Sequence, residues 1–143
     1  MKKNLFLILF VFILICGCTN PNHENQIITI YSINDLHGTV ISDNGGIGVI
    51  GSFLIDEKDK DPDNTLILAA GDMLQGTAIS NMSQGKVIIE LMNEIGFDAM
   101  TIGNHEFDWG IDTISSYTDG NAFDADFPFL GANIYKKDSN QMV

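Results

Sequence analysis

The chain has 143 residues, 45% of them hydrophobic, and a formal net charge of −12. This length is typical of one domain, and the hydrophobic content excludes a fully disordered chain. All seven basic residues are lysines. A surface this acidic repels the phosphates of nucleic-acid polymers, so we do not expect a nucleic-acid polymer as a partner.

The first residues are typical of an export signal. Two lysines precede an unbroken apolar run at positions 5–15, which is too short to span a bilayer as a helix but fits the core of a signal peptide. The following Ile15-Cys16-Gly17-Cys18 resembles a bacterial lipobox, in which the cysteine is lipidated and becomes the new N-terminus. We expect a signal peptide at 1–17, lipidation of Cys18, a polar tether at 18–26 and a folded part at 27–143. The alternative is an ordinary cleaved signal with an incidental cysteine.

Hydrophobic periodicity predicts strands that alternate with helices. Short β-branched or apolar runs predict buried strands, and apolar residues at helical spacing predict amphipathic helices. The predicted strands cover 27–33, 65–70, 98–102 and 127–134, and the predicted helices begin near 47, 87 and 111. Met73 and Met82 are interpreted as packing residues. This alternation predicts an α/β fold with a mainly parallel sheet.

Polar clusters directly follow the first three predicted strands. They are Asn34-Asp35-Leu36-His37-Gly38, Gly71-Asp72 and the run 103–108, which reads GNHEFD. Because the carboxyl ends of parallel strands meet at one edge of a sheet, we expect these clusters to converge there.

The side chains in these clusters suit a divalent metal ion. In an extended segment Asp35 and His37 would point the same way, and Asp72 and Asn104 add a carboxylate and an amide oxygen. Oxygen and nitrogen donors without thiolate favour Zn, Mn, Fe or a similar ion. Taken singly, Asp72 could cap a turn and Asp35 could form an Asx turn, but the repetition at three strand ends favours a metal site.

At these residues the sequence resembles the calcineurin-like metallophosphoesterases, and within them the bacterial 5′-nucleotidase and 2′,3′-cyclic-nucleotide phosphodiesterase branch. The motifs are NDLHG at 34–38, GD at 71–72 and GNHEFDWG at 103–110. The resemblance implies the N-terminal half of an α-β-β-α sandwich. It also implies a dinuclear metal site in which a metal-activated hydroxide attacks the phosphorus of a nucleotide phosphoester.

The resemblance also implies a role for most of the motif residues. Asp35 and His37 would hold the first metal ion, Asp72 would bridge the two ions, and Asn104 would bind the second. His105 would be catalytic beside the scissile phosphate, and Asp108 would orient its imidazole. For Glu106 the resemblance implies no role, and we expect a surface or hydrogen-bonding residue.

The resemblance further implies histidine ligands and a substrate-binding domain downstream, neither of which the sequence contains. We therefore expect this chain to be an incomplete N-terminal part of an extracytoplasmic, lipid-anchored hydrolase and to be inactive in isolation. The alternative hypothesis is a non-catalytic surface lipoprotein that retains a decayed half of the fold.

Overall fold

The computed structural model describes residues 25–42, 45–120, 124–135 and 137. Cys18 and the expected signal peptide lie outside the described residues, so both stay predictions. Among the residues that the structure describes, none of the helices is long and apolar enough to cross a lipid bilayer.

In the part of the chain that the structure describes, four parallel strands form one sheet in the order β1-β2-β3-β4. They are β1 (Thr29–Ile33), β2 (Thr65–Ala69), β3 (Ala99–Thr101) and β4 (Phe129–Leu130). Ile33 pairs with Ala69, and Ala69 pairs with Met100. The first three strands therefore end near one level, as the sequence predicts, and the loops that follow them meet at the same edge of the sheet.

The helices lie in the connections between strands. They are α1 (Ile47–Lys60), α2 (Ala78–Ser83), α3 (Lys86–Ile95), a 3₁₀ helix (His105–Trp109) and α4 (Ile111–Ser115). Gly96 ends α3 in the left-handed conformation, φ 83°, and donates its backbone N–H to the carbonyls of Met92 and Asn93. A glycine in this conformation is a common end of an α-helix.

One face of the sheet packs against α1 and α3. Along β2, Thr65, Ile67 and Ala69 are buried, because alternate residues of a strand face the same side. The two helices approach each other closely at Gly51, where an added Cβ would lie 2.6 Å from Cδ1 of Ile95. The core of the described part lies between this helical layer and the sheet.

The opposite face of the sheet is apolar and open in the described part of the chain. Ile30, Leu66 and Leu130 are 59%, 38% and 49% exposed, and Ile30 is the registered neighbour of Leu66. One sheet covered by helices on a single face is half of an α-β-β-α sandwich. The expected α/β class with a parallel sheet is therefore confirmed, and the architecture agrees with a partial metallophosphoesterase fold.

Several predictions of local structure need correction. Met73 is fully buried as expected, but Met82 is 89% exposed and is not a packing residue. The fourth strand is limited to Phe129–Leu130. The short helix α2 was not predicted, because its sequence AISNMS has no extended apolar periodicity.

Candidate metal centre

The loops after β1 and β2 are joined by backbone hydrogen bonds. The N–H of Asp35 donates to the carbonyl of Gly71 at 3.2 Å, and the N–H of His37 donates to the carbonyl of Asp72 at 3.0 Å. Gly38 donates in turn to the carbonyl of Met73 at 2.9 Å. Two clusters far apart in sequence are thus held side by side, as the parallel sheet predicts.

Asp35, His37 and Asp72 form a compact group of possible metal ligands. One ligand atom from each lies within 4.8 Å of the others, and Nε2 of His37 is 3.7 Å from Oδ1 of Asp35. Nδ1 of His37 lies 3.2 Å from the carbonyl oxygen of Gln75. Because a carbonyl can only accept a hydrogen bond, this contact favours the tautomer with the proton on Nδ1, which leaves the lone pair of Nε2 free for a metal.

The backbone that presents these three side chains is left-handed. The φ angles are 54° for Asp35, 49° for His37 and 54° for Asp72. The expectation that Asp35 and His37 converge is confirmed, but the expected reason, an extended segment, is wrong. The side chains meet because the chain turns at both residues, in a conformation that non-glycine residues adopt uncommonly.

The loop after β3 packs tightly against Asp72. The backbone N–H of His105 donates to Oδ1 of Asp72 at 2.9 Å. A Cβ added to Gly103 would lie 2.3 Å from the same oxygen, so this position accepts only glycine without movement of the loop. Asn104, which is exposed, lies in the chain between Gly103 and His105, the two residues that contact Asp72.

His105 lies next to His37, one of the three possible metal ligands, and contacts Asp108. Its Nδ1 is 2.8 Å from Oδ2 of Asp108, and its ring centroid is 5.1 Å from that of His37. The hydrogen bond to Asp108 raises the pKa of His105 above its ordinary value, and the nearby charges of Asp108, Asp72 and Glu106 act in the same direction. The structure thus brings together the two residues expected to be catalytic.

For Glu106, sequence analysis left open whether the residue lies at the surface or forms hydrogen bonds. Its side chain is 1% exposed, and its carboxylate accepts hydrogen bonds from backbone N–H groups of both the β2 and the β3 loop. It is a hydrogen-bonding residue and not a surface residue. The only signal in the sequence was its place inside the most specific motif, where no role could be assigned to it.

The donor set fits a divalent metal ion. Two carboxylates and one imidazole with a free Nε2 meet at one sheet edge, and the chain offers one further amide oxygen at Asn104 in the β3 loop. These are hard and borderline donors without thiolate. Asp35 and Asn104 are exposed, and the side chain of His37 is 40% exposed, so solvent reaches the group. The arrangement can hold cations and leave positions open for a phosphate ester.

Comparison with known proteins identifies a family whose profile matches most of the chain. The profile of the calcineurin-like phosphoesterase family matches residues 28–140. Endonuclease YhcR of Bacillus subtilis is 34% identical over 140 residues, which cover 82% of this chain and 12% of YhcR. A 5′-nucleotidase of Vibrio parahaemolyticus is 32% identical over 141 residues, which cover 90% of this chain and 24% of that protein.

A solved structure shares the same architecture. The calcineurin-like phosphoesterase YfkN from Bacillus subtilis superposes with a TM-score of 0.63 at 27% identity, over 77% of this chain and 38% of that one. The chain thus spans 12% and 24% of the length of the two curated relatives named above.

Proposed function

Because this chain belongs to the calcineurin-like phosphoesterase family, we propose that its protein hydrolyses phosphoesters of nucleotides at a dinuclear metal site. The observation that carries the proposal is the meeting of Asp35, His37 and Asp72 within 4.8 Å at one sheet edge, with His105 beside them. The similarity to a 5′-nucleotidase over 90% of the chain favours nucleotides as substrates.

In this proposal Asp35 and His37 would hold one metal ion, Asp72 would contribute to holding both ions and Asn104 would bind the second. Divalent ions bound there would supply positive charge for the phosphate oxygens and a water that loses a proton near neutral pH. The carboxylate of Asp72 is suited to its role because its loop is bonded to both neighbouring loops, through His37 on one side and His105 on the other.

His105 is the proposed catalytic group of the chain. With its Nδ1 bonded to Asp108, its Nε2 remains available to stabilise charge on the phosphate or to donate a proton to the leaving oxygen. Both tasks use a proton on Nε2, and in the metal-free chain the hydrogen bond to Asp108 raises the pKa of His105. Asp108 keeps the imidazole in one orientation and is a positioning residue.

The experiment that tests this function measures phosphoester hydrolysis, by chromatography of the products, for the protein expressed from its complete gene. The substrates are a 5′-nucleotide, a 2′,3′-cyclic nucleotide and a DNA oligonucleotide. We expect a nucleoside and phosphate from the first or a 2′- or 3′-monophosphate from the second, loss of activity with EDTA and recovery on addition of Mn²⁺ or Zn²⁺. Asp112→Asn, which removes an exposed carboxylate outside the group, is the matched control for Asp72→Asn. EDTA-resistant activity would contradict the proposed metal site, and no activity on any phosphoester would favour the non-catalytic lipoprotein instead.

We also propose that the protein is lipid-anchored through Cys18 on the outer side of a bacterial membrane. The support is the apolar run at 5–15 followed by the lipobox-like Ile15-Cys16-Gly17-Cys18. A diacylglycerol carries two acyl chains, which is enough for stable membrane association. A clickable fatty acid should label the wild type and fail to label Cys18→Ala. Label that persists in Cys18→Ala would exclude this anchor.

A further inference from the structure

We propose that Glu106 is a positioning residue, one that fixes the loops after β2 and β3 in the shape that the metal ligands require. The inference rests on the proposed function, because it concerns how the same site is built. Glu106 is the one carboxylate in the described part of the chain that is almost completely buried, and the proposed reaction gives it no contact with metal or substrate.

Glu106 accepts four hydrogen bonds from backbone N–H groups. Its Oε1 accepts from Met73 at 2.8 Å and from Leu74 at 3.2 Å. Its Oε2 accepts from Asp72 at 2.9 Å and from Gly103 at 2.8 Å. Three of these donors belong to the β2 loop and one to the β3 loop, so a single side chain joins the two loops.

These hydrogen bonds act on the residues proposed as ligands. Asp72 has φ 54°, a conformation that is costly for a residue with a Cβ and that persists only where its surroundings enforce it. Glu106 binds the N–H of Asp72 itself and those of the next two residues, which fixes the turn. On the other side it binds the N–H of Gly103, the residue directly before Asn104.

A carboxylate is the side-chain group that suits the four backbone N–H donors around Glu106. It offers acceptor positions on both oxygens and no donor, so it can satisfy four N–H groups that point to one buried spot. The amide of Gln has the same shape but only one acceptor oxygen, and its NH₂ would face two N–H donors. The Asp side chain is one methylene shorter and cannot reach both loops at these distances.

The test compares variants of the protein expressed from its complete gene, with Mn²⁺ as the probe. The Mn²⁺ dissociation constant is measured from the electron paramagnetic resonance signal of free Mn²⁺. We expect Glu106→Gln to weaken Mn²⁺ binding about 10–100-fold, the usual effect of removing a partner that orients metal ligands. Glu106→Asp should weaken binding as well, and it carries the test if Glu106→Gln does not fold.

The matched control is Ile88→Ala, which removes a fully buried core side chain of α3 outside the loops. Ile88→Ala should lower the melting temperature and leave the Mn²⁺ dissociation constant unchanged. A second readout is hydrogen exchange of the metal-free protein, which does not depend on activity. Glu106→Gln should speed exchange at the amides of Met73, Leu74 and Gly103, while Ile88→Ala should not do so selectively.

The possible failures are distinguishable. If the wild type binds no Mn²⁺, the proposed function fails, and this inference falls with it. If the wild type binds Mn²⁺ and Glu106→Gln binds it equally well with unchanged exchange in both loops, the inference alone is wrong. The inference is also wrong if Ile88→Ala weakens Mn²⁺ binding as much as Glu106→Gln does.

Discussion

At the scale of single residues, the site is built from an uncommon backbone conformation. Asp35, His37 and Asp72 all have φ near 50°. Such residues cost about 1–3 kcal/mol each and persist where surrounding contacts fix them. The hydrogen bonds among the three loops provide those contacts. Strain gathered at three proposed ligands is more readily explained by a functional requirement than by folding alone.

The proposed division of roles predicts different effects for His105 and Asp72. His105→Asn should lower kcat about 10²–10⁴-fold and leave metal content unchanged, because it removes a transition-state interaction but no ligand. Asp72→Asn should lower metal content and activity together. The measurement is elemental analysis beside kcat on a 5′-nucleotide. Loss of metal in His105→Asn as severe as in Asp72→Asn would make His105 a ligand and overturn these roles.

The hydrogen bond between His105 and Asp108 predicts a pH dependence. It raises the pKa of His105 in the folded chain above the unfolded value. The pair therefore stabilises the fold fully below the unfolded pKa, and this stabilisation is lost as the pH rises through the folded pKa. Asp108→Asn should lower the pKa of His105, measured by NMR titration of its Cε1 proton in the metal-free protein. Asp112→Asn should leave it unchanged, and an unchanged value in Asp108→Asn would contradict the assignment.

Residue types and spacing were enough to predict the ligand group, but the contacts that build it could not be predicted from them. The convergence of Asp35, His37 and Asp72 follows from parallel strands that end at one edge. The left-handed turns and the burial of Glu106 do not follow, because they depend on hydrogen bonds between loops more than 30 residues apart. Nothing in the sequence around Glu106 indicates that its side chain is buried.

At the scale of elements, the packing of α3 and α2 can be compared by making the same substitution, Met to Ala, once in each helix. Met92 on α3 is completely buried, whereas Met82 on α2 is 89% exposed. Met92→Ala should lower the free energy of unfolding by about 2–5 kcal/mol, because it leaves a cavity. Met82→Ala should change it by about 0.5 kcal/mol or less. Urea denaturation of both variants checks this, and equal losses would contradict the described packing of α2.

The elements that sequence analysis predicted well are those with a strong hydrophobic pattern. The strands β1, β2 and β3 and the helices α1 and α3 lie within a few residues of their predicted places. In α3 the buried residues Ile88, Met92 and Ile95 follow helical spacing. The helix α2 was missed because only Ser80 of its six residues is buried, so it has no apolar stripe. A buried serine that donates to the carbonyl of Leu74 leaves no hydrophobic signal.

At the scale of the whole molecule, the sheet has two features: the candidate site at its carboxyl edge and an open apolar face. Ile30, Leu66 and Leu130 are exposed on the face opposite the helices. Exposed apolar surface on a sheet often marks a place where another element packs. The same sheet therefore presents the proposed metal ligands at its carboxyl edge and exposed apolar side chains on the face opposite the helices.

The last prediction concerns residues 25–143 expressed alone. This segment should bind Mn²⁺ or Zn²⁺ weakly and well below two ions per chain, because Asp35, His37, Asp72 and Asn104 are too few ligands to fill the coordination of two ions. Equilibrium dialysis with elemental analysis measures the binding, and circular dichroism reports whether the segment folds.

The same segment with Asp72→Asn serves as the control for non-specific uptake by an acidic surface, since it keeps all the other carboxylates. We expect the difference between the two segments to be small, and the protein expressed from its complete gene to bind both ions tightly. Tight binding of two ions by residues 25–143 would contradict the prediction. The described residues would then contain a complete ligand set, and the need for further histidines would be wrong.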